Sequence, residues 1–151
     1  MAWYSAAEIE GEAMGIIKYH FAEHGDPRGK LVAVETGKDI PFPIRRVYYM
    51  YGVGEGIRRG FHAHEKLEQV LICMHGSCKI LLDDGKDKAV VPLDSPNEGL
   101  YVGNAMWREM FDFSPDAVLV VLASELYDEA DYIRNYDEFL AYLAGQKGES
   151  V

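Results

Sequence analysis

Glu68-Gln69-Val70-Leu71-Ile72-Cys73-Met74, His75-Gly76, Ser77-Cys78-Lys79-Ile80-Leu81-Leu82-Asp83 and Asp84-Gly85 follow one another without a break. Two apolar runs, each closed by a dipeptide that takes positive φ readily, spell strand, turn, strand, turn. The same punctuation continues on both sides. Further candidate strands are Ile16 to Phe21, Lys30 to Glu35, Arg46 to Tyr51, Gly60 to His64, Lys88 to Leu93, Gly99 to Val102, Trp107 to Phe113 and Ala117 to Ala123. Between them lie Asp26-Pro27-Arg28-Gly29, Gly52 to Gly56 and Asp94-Ser95-Pro96, whose residues pre-set turn dihedrals. Only the C-terminus reads as a helix, with Asp137 as its cap, Phe139, Leu140 and Leu143 as its stripe and Gly145 as its stop. The fold class expected is all-β: a double-sheet jelly roll or small β-barrel with a short C-terminal helix, its interior able to hold a ligand.

At 151 residues the chain has room for one domain. A chain of this size buries roughly 68–70% of its unfolded surface and needs neither disulfide nor structural metal to fold. We divide it into a flexible N-terminal segment, 1–13, a folded domain, 14–145, and a flexible tail, 146–151. Hydrophobic residues at 48% and charged residues at 26% exclude a disordered or collagen-like chain. The 15 basic residues against 25 acidic ones give a net charge of −10, which argues against nucleic acid and acidic membranes as partners. No apolar run is long enough to span a membrane and no signal peptide is visible at the start, so a cytoplasmic location is expected. Residues 125–138 hold Glu125, Asp128, Glu129, Asp131, Asp137 and Glu138 against Arg134 alone, a local balance of −6 plus 1, or −5. A solvated face around a helix start is preferred there to an acidic binding patch.

Cys73 and Cys78 flank His75-Gly76, and a hairpin at that dipeptide would set them opposite each other across a ladder. A reducing compartment favours two buried free thiols over a disulfide, and two cysteines are too few for a zinc site.

In Arg58-Arg59-Gly60-Phe61-His62-Ala63-His64 the histidines stand two apart on a candidate strand, so both imidazoles fall on one face. Inside a barrel such a pair ligates a transition metal or moves protons near neutral pH; histidines merely hydrogen-bonded in the core are the plainer reading. Gly56, His62, His64, Glu68 and Gly76 resemble the first motif of the cupin superfamily, with one extra residue before Gly76. In the second motif Gly103, Ala105 and Arg108 stand where that family has Pro, Gly and a third His. A guanidinium cannot ligate. Pointing inward at about 5 Å with an effective dielectric of about 20, it would repel each unit of metal charge by roughly 3 kcal/mol. Turned outward, it would leave His62, His64 and Glu68 as a three-ligand site.

Over residues 44–136 the resemblance sharpens. Ile44-Arg45-Arg46-Val47-Tyr48-Tyr49, Arg59 to His64, Leu67 to Leu71, Gly76 to Lys79, Leu82 to Gly85, Trp107 to Phe113 and Asp131-Tyr132-Ile133-Arg134-Asn135-Tyr136 are similar to the cupin-like sugar 3,4-ketoisomerases acting on dTDP-4-keto-6-deoxyglucose. That resemblance implies a metal-independent enzyme of deoxysugar biosynthesis with a dTDP-sugar substrate, working as a homodimer in which an N-terminal strand can be exchanged. Moving a carbonyl from C4 to C3 removes the C3 proton, passes through an enediol or enediolate and protonates C4, with no net redox and so no cofactor. The reaction needs a base, an oxyanion donor and exclusion of water. We expect His62 as the main base, His64 as its partner in relay or oxyanion stabilisation, and Tyr48 as a sugar hydrogen bonder or proton shuttle, against the competing reading of a tyrosine packed at a strand edge. Arg46, Arg59 and Lys79 are the candidate diphosphate ligands. Gln69 is a polar residue awaiting a partner if buried, and Trp107, with Tyr48, Tyr49 and Tyr51, is a candidate stacking surface for thymine. The alternatives are a metal-dependent cupin enzyme using His62, His64 and Glu68, and a non-catalytic nucleotide-sugar binding module.

Overall fold

Alternating apolar runs have to bury one face each, and the chain does this by laying two antiparallel sheets over one another. The computed structural model describes residues 4–6 and 14–149. Among them the strands are β1 (Tyr4–Ala6), β2 (Ile17–His20), β3 (Glu23–Asp26), β4 (Gly29–Val32), β5 (Arg46–Tyr51), β6 (Arg59–His64), β7 (Gln69–His75), β8 (Cys78–Asp83), β9 (Lys88–Leu93), β10 (Glu98–Val102), β11 (Trp107–Phe111), β12 (Val118–Ala123) and β13 (Tyr132–Ile133). Among the described residues one α-helix, α1 (Tyr136–Glu149), follows the last strand. One sheet has the order β1-β2-β10-β7-β12-β5 and the other β13-β6-β11-β8-β9, while β3 and β4 form a separate hairpin. The two facing sheets, with α1 outside, are the expected all-β jelly roll; they do not close into a barrel.

The strand readings hold to within a residue or two except at the N-terminal end. There Glu23–Asp26 and Gly29–Val32 make an exposed hairpin around Pro27-Arg28. Residues beyond Val32 instead form a strap: Val34, Ile40 and Phe42 pack on the outer face of the six-stranded sheet against Tyr19, Phe21, Val70 and Ile72. That is why β7 is apolar on both faces.

His75-Gly76 is not a hairpin. Strands β7 and β8 belong to different sheets, and Gly76 turns the chain from one to the other at φ +69°, where a Cβ would lie 2.2 Å from Ser114 Oγ. Cys73 and Cys78 therefore meet across the core rather than across a ladder, as two buried free thiols. The helix starts from Asn135, whose side chain accepts from the Glu138 amide at 3.1 Å, and it runs past Gly145 to Glu149. Three residues of the segment expected to be flexible, Tyr4–Ala6, pair with β2; residues 1–3, 7–13, 150 and 151 lie outside the described residues.

The main core fills the space between the sheets with Leu71, Ile80, Leu82, Val91, Leu100, Met110, Leu119 and Val121. A smaller cluster of Ala63, Trp107, Ile133 and Phe139 fastens α1 to the outside of the five-stranded sheet. Phe139 is fully buried and Leu140 is 38% exposed. Phe139→Ala is expected to lower the free energy of unfolding by about 3–5 kcal/mol in urea titrations, and Leu140→Ala by under about 1 kcal/mol.

Candidate active site

Strand parity decides which side chains reach the interior. On β5, Arg46, Tyr48 and Met50 turn inward and Val47, Tyr49 and Tyr51 outward, so the stacking role considered for Tyr49 and Tyr51 is not served inside this cleft. On β7, Gln69 faces in. On β11, Arg108 and Met110 face in, which sends Trp107 out beneath α1. On β8, Cys78, Ile80 and Leu82 face in, so Lys79 is exposed on the outer surface, where it pairs with Asp112 at 2.9 Å. Trp107 and Lys79 thus lie on the far side of their sheet from the cleft.

Strict alternation would also send Arg59 outward, opposite to His62. A β-bulge reverses it: His62 faces Arg108 and Gly60 faces Glu109, with Phe61 as the extra residue, so that Arg59 comes opposite the inward Met110. Gly60 adopts φ +95° and its absent Cβ would sit 2.9 Å from the Arg108 carbonyl, while Phe61 takes φ +57°. The bulge brings Arg59 and both histidines to one face, and Arg58, left outside, pairs with Glu109 at 2.7 Å.

The resulting cleft, about 390 Å³, is lined by Arg46, Tyr48, Met50, Arg59, Gly60, His62, Met110, Tyr127, Tyr132 and Arg134. Arg134 is held by Glu129 at 2.7 Å. Arg46 and Arg59 have no carboxylate partner among the described residues, and the Arg46 Nε is buried without a hydrogen bond. Behind the cleft Arg108 is fully buried. Its Nε and Nη2 donate to the Met106 carbonyl at 3.1 and 3.0 Å and its Nη1 donates to Gln69 Oε1. Gln69 Nε2 in turn donates to the Tyr48 hydroxyl oxygen at 2.8 Å, leaving the phenolic proton free to be donated.

The histidine rings stand edge to face at 4.9 Å, roofed by Tyr132 at 5.1 Å from His62 and 4.3 Å from His64. Neither nitrogen of His62, nor Nε2 of His64, makes a well-formed hydrogen bond, the Gly60 backbone being the polar group near His62, while His64 Nδ1 lies 3.1 Å from Asp131. Burial, and then the Arg108 charge, pull His62 down to about 4 and His64 down to about 2. Burial also lowers Arg108, to about 10, so at neutral pH it remains a cation facing two neutral imidazoles. Tyr48 is raised, chiefly by burial, with Arg108 opposing.

The three-ligand alternative does not fit. Glu68 accepts from the Tyr101 hydroxyl at 2.5 Å instead of joining the histidines, Gln69 and Arg108 take the interior positions, and the carboxylate touching the pair is Asp131. No cluster of three or more His, Cys, Asp or Glu suited to a metal occurs among the described residues. The sequence reading missed Tyr127, Tyr132, Arg134 and Asp131; the acidic count over residues 125–138 pointed to solvent for a segment whose Asp131 and Tyr132 turn inward. Among the described residues no helix is long and apolar enough to cross a membrane.

A family described as "FdtA: WxcM-like, C-terminal" matches residues 14–144. A TDP-4-oxo-6-deoxy-alpha-D-glucose-3,4-oxoisomerase of Aneurinibacillus thermoaerophilus is 59% identical over 119 residues, covering 79% of this chain and 86% of its own. The crystal structure of a 3,4-ketoisomerase from Helicobacter canadensis is 50% identical with TM-score 0.84, covering 87% of this chain and 98% of its own. A mutant of the 3,4-ketoisomerase QdtA from Thermoanaerobacterium thermosaccharolyticum, in complex with TDP-4-keto-6-deoxyglucose, is 48% identical with TM-score 0.83, covering 84% of this chain and 92% of its own.

Because the folded state depresses His62 below its unfolded value near 6.5, the unfolded chain binds the proton more readily, and stability falls as pH drops from about 6.5 towards 4. In urea melts over pH 6.5 to 5, the decline is expected to be shallower in His62→Asn than in the parent, by up to about 1.4 kcal/mol per pH unit.

Proposed function

This chain belongs to the FdtA (WxcM-like, C-terminal) family of sugar-nucleotide 3,4-ketoisomerases, and on that footing we propose that it moves the keto group of dTDP-4-keto-6-deoxyglucose from C4 to C3. The observation that carries the reading is a pair of neutral imidazoles, His62 bordering the cleft and His64 with a bare Nε2, beside a buried cation and with Arg46 and Arg59 lining the same cleft without a carboxylate partner among the described residues.

His62 lines the cleft and acts as the base that takes the C3 proton. As the C3–H bond breaks, its electrons form the C3=C4 bond of the enediolate, and charge gathers on O4. Arg108 supports this step, because a buried cation with no carboxylate bonded to it is stabilised as negative charge appears nearby. Tyr48, its oxygen already accepting from Gln69, donates its proton to O4 and recovers one from O3. Reprotonation at C4 from the histidine pair, with His64 as relay partner, completes the exchange with no net electron transfer. Arg46 and Arg59 hold the diphosphate with charge-assisted bonds, offsetting locally the net −10 of the chain.

The enzyme works as a homodimer in this proposal. Val47, Tyr49 and Tyr51, 54%, 63% and 70% exposed on the edge strand β5, form an apolar stripe that a second copy would cover. Two free cysteines and a nucleotide-sugar substrate agree with a cytoplasmic location.

Incubation with dTDP-4-keto-6-deoxyglucose in heavy water should place deuterium at C3 or C4 and yield the 3-keto isomer by NMR; label at C5 would indicate an epimerase, and no exchange a binding module. His62→Asn is expected to lower kcat by about 10²–10⁴-fold while dTDP affinity stays near the parent value. Light scattering should give the mass of two chains, and Tyr49→Glu with Tyr51→Glu should shift it to one.

A further inference from the structure

His62 and His64 differ in one respect that the proposed chemistry does not use: the inner ring is tied to a carboxylate and the outer is not. We propose that Asp131 is a positioning residue that fixes His64 in the tautomer with its proton on Nδ1, so that Nε2 is held bare as an acceptor beside His62. This rests on the ketoisomerase reading for its consequence and on geometry alone for its premise.

Asp131 is built to hold one position. Its Oδ2 lies 3.1 Å from His64 Nδ1 and accepts the Leu67 amide at 3.2 Å, while Oδ1 accepts the Lys66 amide at 2.8 Å. Its own carbonyl accepts the Glu65 amide at 3.0 Å and its amide donates to the Asp128 carbonyl at 3.1 Å. The following residue, Tyr132, pairs with His64 in the β13–β6 ladder, so carboxylate and imidazole are placed by the same register. Asp131 thus clamps the chain leaving β6 to the turn at Glu129–Asp131 and, with the remaining lone pairs of Oδ2, faces the ring.

A carboxylate accepts and cannot donate, so the nitrogen facing it carries the hydrogen. With one proton on a neutral imidazole, Nε2 is then unprotonated, and this is the buried His64 nitrogen that lacks a partner. When His62 takes a proton from C3 it becomes an imidazolium 4.9 Å from the His64 ring and close to the Arg108 cation. A bare Nε2 offers that proton an acceptor, and the negative charge behind it offsets the like-charge cost that Arg108 imposes. A flipped tautomer would instead put the N–H on Nε2, removing that acceptor, and leave Asp131 facing a lone pair. The Asp131 position therefore sets the direction in which a proton passes within the pair, without touching the substrate.

The test uses the full-length chain labelled with ¹⁵N in its histidines. Long-range ¹H–¹⁵N correlations at pH 7 should show His64 protonated on Nδ1 and bare on Nε2; an Nε2-protonated ring or an imidazolium would overturn the proposal. In Asp131→Asn, whose amide can also donate, this single-tautomer pattern should be lost, and kcat should fall by about 10- to 100-fold with KM and dTDP affinity within about twofold of the parent. Unchanged kcat, or a loss confined to KM, would overturn it. If the variant fails to fold, the tautomer of the unaltered protein still decides. A parent protein inert on dTDP-4-keto-6-deoxyglucose would sink the ketoisomerase reading while leaving the tautomer measurement to judge Asp131.

Discussion

A guanidinium taken wholly out of water is the constraint around which this site is organised. Arg108 is fully buried with a carbonyl and a side-chain amide as its bonded partners, and no carboxylate bonds it. Desolvating such a charge costs several kcal/mol, which the fold carries because the group is useful where it stands. Its charge adds to burial in holding the two imidazoles neutral, and its hydrogen bond orients Gln69 and through it Tyr48.

The rest of the jelly roll serves to deliver side chains to that cation from several strands: Tyr48 from β5, both histidines from β6, Gln69 from β7 and Asp131 from the turn before β13. Strands are suited to this because alternate residues point to one face at fixed spacing. Where alternation would send Arg59 away from the cleft, the chain departs from it. The bulge at Gly60 and Phe61 accepts two positive-φ residues in succession and so turns Arg59 to the same side as His62. Backbone strain at a site is tolerated when its surroundings over-determine it, and here the close approach to the β11 backbone does so.

The two histidines, equivalent in sequence, are not equivalent in place. His62 borders the cleft with both nitrogens open, whereas His64 sits behind it, roofed by Tyr132 and tied to Asp131. In the proposed mechanism these different surroundings divide the work between a ring that meets substrate and one that tunes its neighbour.

Much of this was readable in the chain itself. Punctuated apolar runs gave the strands, since each must bury one face and turn at residues that allow it, and the His-x-His spacing put two imidazoles on one face. Arg108 stands where the resembled motif has a third histidine, and whether it pointed inward or outward was left to the packing, which buries it fully. Parity within a strand could also have placed Lys79 and Trp107 outside, because their neighbours Ile80 and Arg108 alternate against them. Other features lay beyond local reading: that His75-Gly76 passes between sheets rather than closing a hairpin, that Glu68 turns to Tyr101, and that an acidic stretch sends Asp131 back to His64, 67 residues earlier in the chain. These are contacts between segments far apart along the chain, and local propensity and period carry no information about them. Packing of the two sheets alone decides which distant side chains meet.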